Sequence, residues 1–183
     1  ELEALLSEPP NNYMVPFVQC CFYTEAKEWD KFNSIIDEAM DKIAAIGMGP
    51  VLEPAFNGFQ AEYFENTGNY QAAIGYLESS INAPSSLGGE SQKTGPYISL
   101  GRIYQILNQY DKSQEMFEKA QVLVDDSARL FYEYSILKEK QGNKKEALEL
   151  ILKAYDLYKD GDKELELTQK IFERYESFQE QLP

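Results

Sequence analysis

The side chains that carry most neutral-pH chemistry are scarce here: the chain of 183 residues has no His and only two Cys. Without His, a proton shuttle near neutral pH would need a carboxylate, Lys, Tyr or Cys with a strongly shifted pKa, and no local constellation suggests one. A Ser–His or Cys–His nucleophile is excluded. Three stretches nevertheless have types and spacing that could do chemistry. Cys20-Cys21 is a vicinal thiol pair, but helical neighbours point about 100° apart, which strains a mutual disulfide. Packing thiols are the favoured reading, with metal binding or oxidant sensing as the alternative. Gly88-Gly89-Glu90-Ser91-Gln92-Lys93-Thr94 is similar to a phosphate-binding loop, yet Gln92 replaces the Gly required before the Lys and no strand precedes it. It reads as a flexible insert. Asp156 to Leu167 puts Asp160-Gly161 where a calcium loop would have them, but Tyr158 and Leu167 occupy two ligand positions. A helix cap is the better account. No catalytic, cofactor-binding or metal-ligating residue is assigned, and the chain is expected not to be an enzyme.

The elements that would position any site are helices. Apolar residues recur at spacings of three and four over 13–26, 29–46, 55–67, 70–83, 97–108, 111–124, 128–141 and 144–159, the mark of one buried helix face. Gly68-Asn69, Asn108-Gln109 and Gly142-Asn143 break the pattern, since Gly or Asn takes the left-handed cap that ends a helix. Asp126-Ser127 and Asp160-Gly161-Asp162 supply polar caps for the next helices. No stretch shows sustained strand alternation.

Composition fits a packed helical domain. An apolar content of 43% suffices for a core, and aromatics make up 13%, mostly thirteen Tyr and ten Phe. With 17 Lys+Arg against 31 Asp+Glu the net charge is −14. The mean field therefore repels phosphate backbones and anionic lipid surfaces, so neither nucleic acid nor membrane is expected as a partner. No window approaches the roughly 18 to 20 apolar residues of a membrane span, and Glu1 to Glu8 lack signal-peptide features. A cytoplasmic setting is favoured over others, with the compartment left open.

The strongest signal is self-similarity. Tyr97, Gly101, Tyr104, Tyr110, Ser113, Phe117 and Ala120 are followed 34 residues later, in the same phase, by Phe131, Ser135, Gly142, Ala147, Ile151 and Ala154. Small residues recur where two helices must touch, and large apolar residues fill the spaces between. An earlier copy reads Ala61, Phe64, Gly68-Asn69-Tyr70, Ala73, Leu77 and Ser80, its phase 40 residues ahead. A weaker copy holds Cys20, Tyr23, Trp29, Ile36 and Ala39, a further 41 residues ahead. Glu3 to Pro9 has the look of the end of a preceding second helix, so the chain is expected to begin in mid-repeat.

On these residues the chain resembles the tetratricopeptide repeat family, whose unit is a helix–turn–helix of about 34 residues. The resemblance covers about residues 13 to 161. It implies an all-α fold, a right-handed superhelical array of antiparallel helix hairpins, an α-solenoid closed by a capping helix. The expected division is the tail of a truncated repeat at 1–12, units at 13–52 and 53–83, an insert at 84–96, units at 97–127 and 128–161, and the cap at 162–183. The expected Trp or Tyr early in the first helix is Tyr97 or Phe131 in two copies but Asn57 and Pro16 in the others.

The resemblance also implies a function: a protein- or peptide-binding scaffold, part of a larger polypeptide and without catalysis or cofactor. Its partner-facing groove is lined by the first helix of each hairpin. Carried over by phase, the groove residues are Phe17 and Cys21, then Glu62 and Asn66, then Ile98, Arg102, Gln105 and Ile106, then Arg129, Tyr132, Ile136 and Lys140. An acidic group of a partner peptide would pair with Arg102 or Arg129. Gly58, Glu62, Phe59 and Ser99 do not reproduce the Lys/Asn set with which chaperone-binding members clamp a C-terminal carboxylate. Two alternatives differ in class: the sensing domain of a bacterial peptide-responsive regulator, or an accessory interaction domain fused to an enzyme. Oligomeric state is not readable from the sequence.

Overall fold

The computed structural model describes residues 13–83, 89–162 and 165–180; the expected tail at 1–12 lies outside the described residues, as do the first part of the insert and the start and end of the expected cap. The described residues form no strand. The chain divides into two compact units, Glu1–Leu87 and Gly88–Pro183.

The N-terminal unit holds helices α1 (Val15–Glu25), α2 (Trp29–Ala45), α3 (Gly49–Asn66) and α4 (Tyr70–Asn82). Helices α1 and α2 pair as one hairpin and α3 and α4 as a second, with α3 also against α1 and α2. The core is Cys20, Phe32, Ile36, Ala39, Ile43 and Phe56, covered by Phe17, Tyr23, Trp29 and Tyr63. The periodicity places the start of α3 near 55, whereas the helix begins at Gly49. Pro50 falls in the first turn, where its missing N–H is not needed, and the helix continues through Pro54.

The C-terminal unit opens with a 3-10 turn, Gly89–Lys93, and continues as α5 (Thr94–Ile106), α6 (Tyr110–Leu123), α7 (Ala128–Lys140), α8 (Lys144–Tyr158) and α9 (Glu166–Glu180). The expected insert thus gives way to helix at Thr94. Helices α5 and α6 pair, as do α7 and α8; α7 lies against α5 and α6, and α9 closes on α8. Tyr155 of α8 stacks on Tyr175 of α9 at 4.3 Å between ring centroids and meets Phe172 edge-on at 4.9 Å.

Each hairpin turn is closed the same way. The N–H of Glu28, Asn69, Gln109 and Asn143 donates to the carbonyl of Tyr23, Phe64, Tyr104 and Lys138, respectively, at 2.8 Å in every case. The residue just before each of these donors takes a left-handed φ: Lys27 at 56°, Gly68 at 77°, Asn108 at 57° and Gly142 at 84°. This is the helix-ending motif expected at three of the turns. At the fourth it is Lys27 that carries the backbone cost usually left to Gly or Asn.

The small residues sit where helices touch. Gly101 faces the ring of fully buried Phe117, and Ser113 Oγ donates to the Gly101 carbonyl at 2.7 Å, tying α6 to α5. A methyl group at Gly101 would overlap Phe117, with Cδ1 at 2.7 Å and Cζ at 2.8 Å from its position. Since the ring is held inside the core, it cannot swing away as an exposed side chain would. Gly101→Ala is expected to destabilise the C-terminal unit by about 1–3 kcal/mol in urea unfolding followed by circular dichroism. A loss below ~0.5 kcal/mol would show that the packing there is loose.

Candidate functional site

Helices α5 and α7 are the first helices of the two hairpins in the C-terminal unit, and their neighbouring faces carry a group of charged residues together with α9. At its centre is Glu133, only 9% exposed. Burial pushes its carboxyl above the ordinary glutamate range, while Arg102, Arg129, Lys170 and Arg174 pull it back toward ionisation. Four cations from three helices therefore act electrostatically on one buried acid. Gln105 Nε2 donates to the Glu133 backbone carbonyl at 2.9 Å, joining α5 to α7. Tyr132 is half-buried beside the same charges; burial, then Glu133, raises its phenol, and Lys170 and Arg174 oppose the rise.

Lys170 and Arg174 also form ion pairs. Arg174 donates through Nε to Ser135 Oγ at 2.7 Å and through a terminal nitrogen to Glu139 Oε2 at 2.8 Å, while Lys170 bridges to Glu166 at 2.6 Å. Ser135 in turn donates to the Tyr132 carbonyl at 2.7 Å. Arg174 thus pins α9 to α7 through the small residue at the hairpin contact.

The residues carried over by phase fall into three groups. Arg102, Tyr132 and Ile136 are half-buried, and Ile106, Arg129 and Lys140 exposed, on α5 and α7. Ile98 and Gln105 are each 3% exposed. They are corrections to the groove reading: Ile98 belongs to the hydrophobic core, and Gln105 is consumed by its bond to Glu133. In the N-terminal unit, Phe17 is half-buried, its ring 5.4 Å from that of Phe56 and 5.9 Å from that of Phe59. Glu62 is half-buried, and exposed Asn66 donates back to the Glu62 carbonyl at 2.9 Å.

Sequence reasoning missed Glu133, Lys170 and Arg174. Glu133 has a charged type on a helix of mixed polarity, and Lys170 and Arg174 belong to a segment read only as a cap. Their spacing of four on α9 was the available signal, since it puts both on one face.

Cys20 is a packing group of the N-terminal core, and Cys21 is half-buried beside it. Cys20 is fully buried, and burial first, then the neighbouring Cys21, pushes its thiol up to about 12; burial likewise raises Cys21. Both are free cysteines. Among the described residues no group of three or more His, Cys, Asp or Glu could hold a metal ion, and no helix is long and apolar enough to cross a membrane.

Comparison with known proteins places this geometry. The family model of the tetratricopeptide repeat matches residues 95–121, which span α5 and most of α6. No curated protein matches the chain. Among solved structures, YrrB, described as a TPR protein with an unusual peptide-binding site, is similar in fold with a TM-score of 0.51 at 13% identity, over 87% of this chain and 93% of that one.

A carboxyl that binds its proton more tightly folded than unfolded favours folding most at acid pH. That contribution is lost as pH rises from the unfolded pKa through the raised folded one. Glu133→Gln is therefore expected to raise the melting temperature above wild type at pH 7 to 8, with the difference closing toward pH 4 in calorimetric scans. A difference that is constant with pH, or of opposite sign at neutral pH, would contradict the burial-dominated shift.

Proposed function

We propose that this tetratricopeptide-repeat chain is a non-catalytic scaffold for a protein or peptide, and that the α5–α7 wall of its C-terminal unit receives an acidic group of the partner. The observation that carries this reading is the convergence of Arg102, Arg129, Lys170 and Arg174 around Glu133 in a chain whose net charge is −14. Lys170 and Arg174 are paired with Glu166 and Glu139, and a cluster of both signs gathered on one face selects partners by where they dock. Arg102 and Arg129 stand on α5 and α7, and a guanidinium is shaped to hold a carboxylate by two parallel hydrogen bonds. Around them Tyr132, Ile136 and Ile106 offer partly or largely exposed apolar surface. The pattern suits an extended or helical segment with apolar anchors and an acidic residue between them. YrrB supports the reading to the extent that a protein of this fold is described as having a peptide-binding site.

Peptides selected on the whole chain from a random display library are expected to be enriched in acidic residues. Arg102→Glu combined with Tyr132→Ala is expected to weaken their affinity by at least about tenfold in fluorescence anisotropy, leaving the helical circular dichroism unchanged. Undiminished affinity of the double variant, or selected peptides without acidic residues, removes this site.

A further inference from the structure

Arg102 and Arg129, proposed above to hold an acidic group of the partner, already stand beside an acid of the chain itself. Arg129 precedes Glu133 by four residues on α7, the spacing that brings two side chains together on a helix surface. Arg102 lies three residues before Gln105 on α5, so it shares a face with the amide whose Nε2 donates to the Glu133 carbonyl at 2.9 Å. Helical spacing and one hydrogen bond between helices thus bring both guanidiniums to Glu133, and both act electrostatically on its carboxyl. That carboxyl belongs to a side chain buried in the wall, on a residue only 9% exposed.

The charges on the neighbouring helices are arranged around this group. On α9, Arg174 pairs with Glu139 at 2.8 Å and Lys170 with Glu166 at 2.6 Å, and Glu173 acts on Tyr132. Tyr132 itself stays neutral near physiological pH, since burial raises its phenol. The charges of α6 and α8 that meet α7 do so elsewhere: Glu118 and Glu146 by Tyr134, and Lys153 over the Phe131 ring at 5.6 Å.

A partner carboxylate seated on Arg102 and Arg129 therefore arrives next to a second carboxylate. Two carboxylates that share one set of cations are costly to keep both ionised, and the proton affinity of one of them rises. Glu133 is the one that yields, because burial already favours its neutral form and the guest takes a share of the guanidiniums that oppose this. We infer that capture of an acidic partner at this wall is coupled to uptake of one proton by Glu133, so that the wall holds the partner more tightly as pH falls. The inference rests on the acid-binding role proposed above. One proton from solvent joins a Glu133 carboxylate oxygen, and the guest carboxylate replaces Glu133 as the anion beside the two guanidiniums. Binding raises the pKa of Glu133 above its value in the free fold. Affinity is therefore greatest below the free value, falls as pH rises from the free value to the bound one, and is constant above that. The chain has no His, the side chain that ordinarily supplies such a response.

The test uses the whole chain and two labelled pentapeptides with leucine at both ends and, between serines at the centre, either glutamate or glutamine. Between about pH 5 and about pH 8 the peptide glutamate stays ionised. The glutamate peptide is expected to bind at least about tenfold more tightly at the lower pH in fluorescence anisotropy, with the glutamine peptide weaker and indifferent to pH. In carbon-13 spectra of the glutamate-labelled chain, saturation with the glutamate peptide raises the titration midpoint of the Glu133 carboxyl, assigned by its loss in Glu133→Gln. In that variant, where a neutral amide stands in for the protonated acid, binding at about pH 8 tightens to the wild-type level of about pH 5 and the pH dependence disappears. Equal affinity of the glutamate peptide at both pH values, an unmoved Glu133 midpoint, or a pH dependence retained in Glu133→Gln each overturns the coupling and leaves the acid site standing. If the glutamate peptide binds no better than the glutamine peptide at either pH, the acid site itself falls and the coupling with it. Should Glu133→Gln fail to fold, the affinities of the wild-type chain at the two pH values decide alone.

Discussion

At Gly101 the backbone of α5 lies directly against the ring of Phe117, and no side chain larger than hydrogen fits between them. That contact sets how near the two helices of the hairpin come. It lets Ser113, fully buried, reach the Gly101 carbonyl, so the buried hydroxyl is satisfied by the very backbone the missing side chain exposes. The next hairpin meets the same constraint with Ser135 and Ala147, both fully buried. Once hairpins are drawn this close, consecutive first helices become neighbours, and residues that are far apart in sequence come to share a wall. Arg102, Arg129 and Arg174 act on one carboxylate for this reason.

The wall has its own energetic logic. Burying Glu133 among α5, α7 and α9 costs hydration, and four cations offset the cost only in part, as the direction of its proton affinity shows. Ser135 illustrates how packing and electrostatics share residues. It is small because the helices touch, yet its hydroxyl donates to Tyr132 and accepts from Arg174. A substitution chosen to probe the charge would therefore also disturb the docking of α9, unless made at Arg102 or Arg129, which stand away from that bond.

Most of the fold was legible because repetition multiplies weak signals. The turns at Gly68, Asn108 and Gly142 stood out by residue type, whereas Lys27 adopts the same left-handed conformation without a type that announces it. The early start of α3 was obscured by Pro50 and Pro54, which read as breakers although one falls in a first turn and the helix accommodates the other. The site was less legible. Phase assigned Arg102, Arg129 and Tyr132 to one wall, but it treats every position of a first helix alike. Whether Ile98 or Gln105 faces the core depends on how far α7 leans onto α5, and that is a property of packing. Glu133 was invisible because an acidic residue on a helix in an acidic chain looks solvated until its neighbours are known.

Repeats also act as internal controls, and this gives departures from phase a meaning that a single sequence otherwise lacks. Tyr97 and Phe131 show one way of filling that position, an aromatic requirement from which Pro16 of the first copy also departs. Asn57 fails the requirement while the surrounding residues of its copy, Phe56 and Ala61 among them, remain buried as a packed helix demands. Had the whole copy decayed, neighbouring core positions would show polar replacements and exposure as well. Loss confined to one position, with Phe56 and Ala61 still buried beside it, is a local departure that the packed helix tolerates.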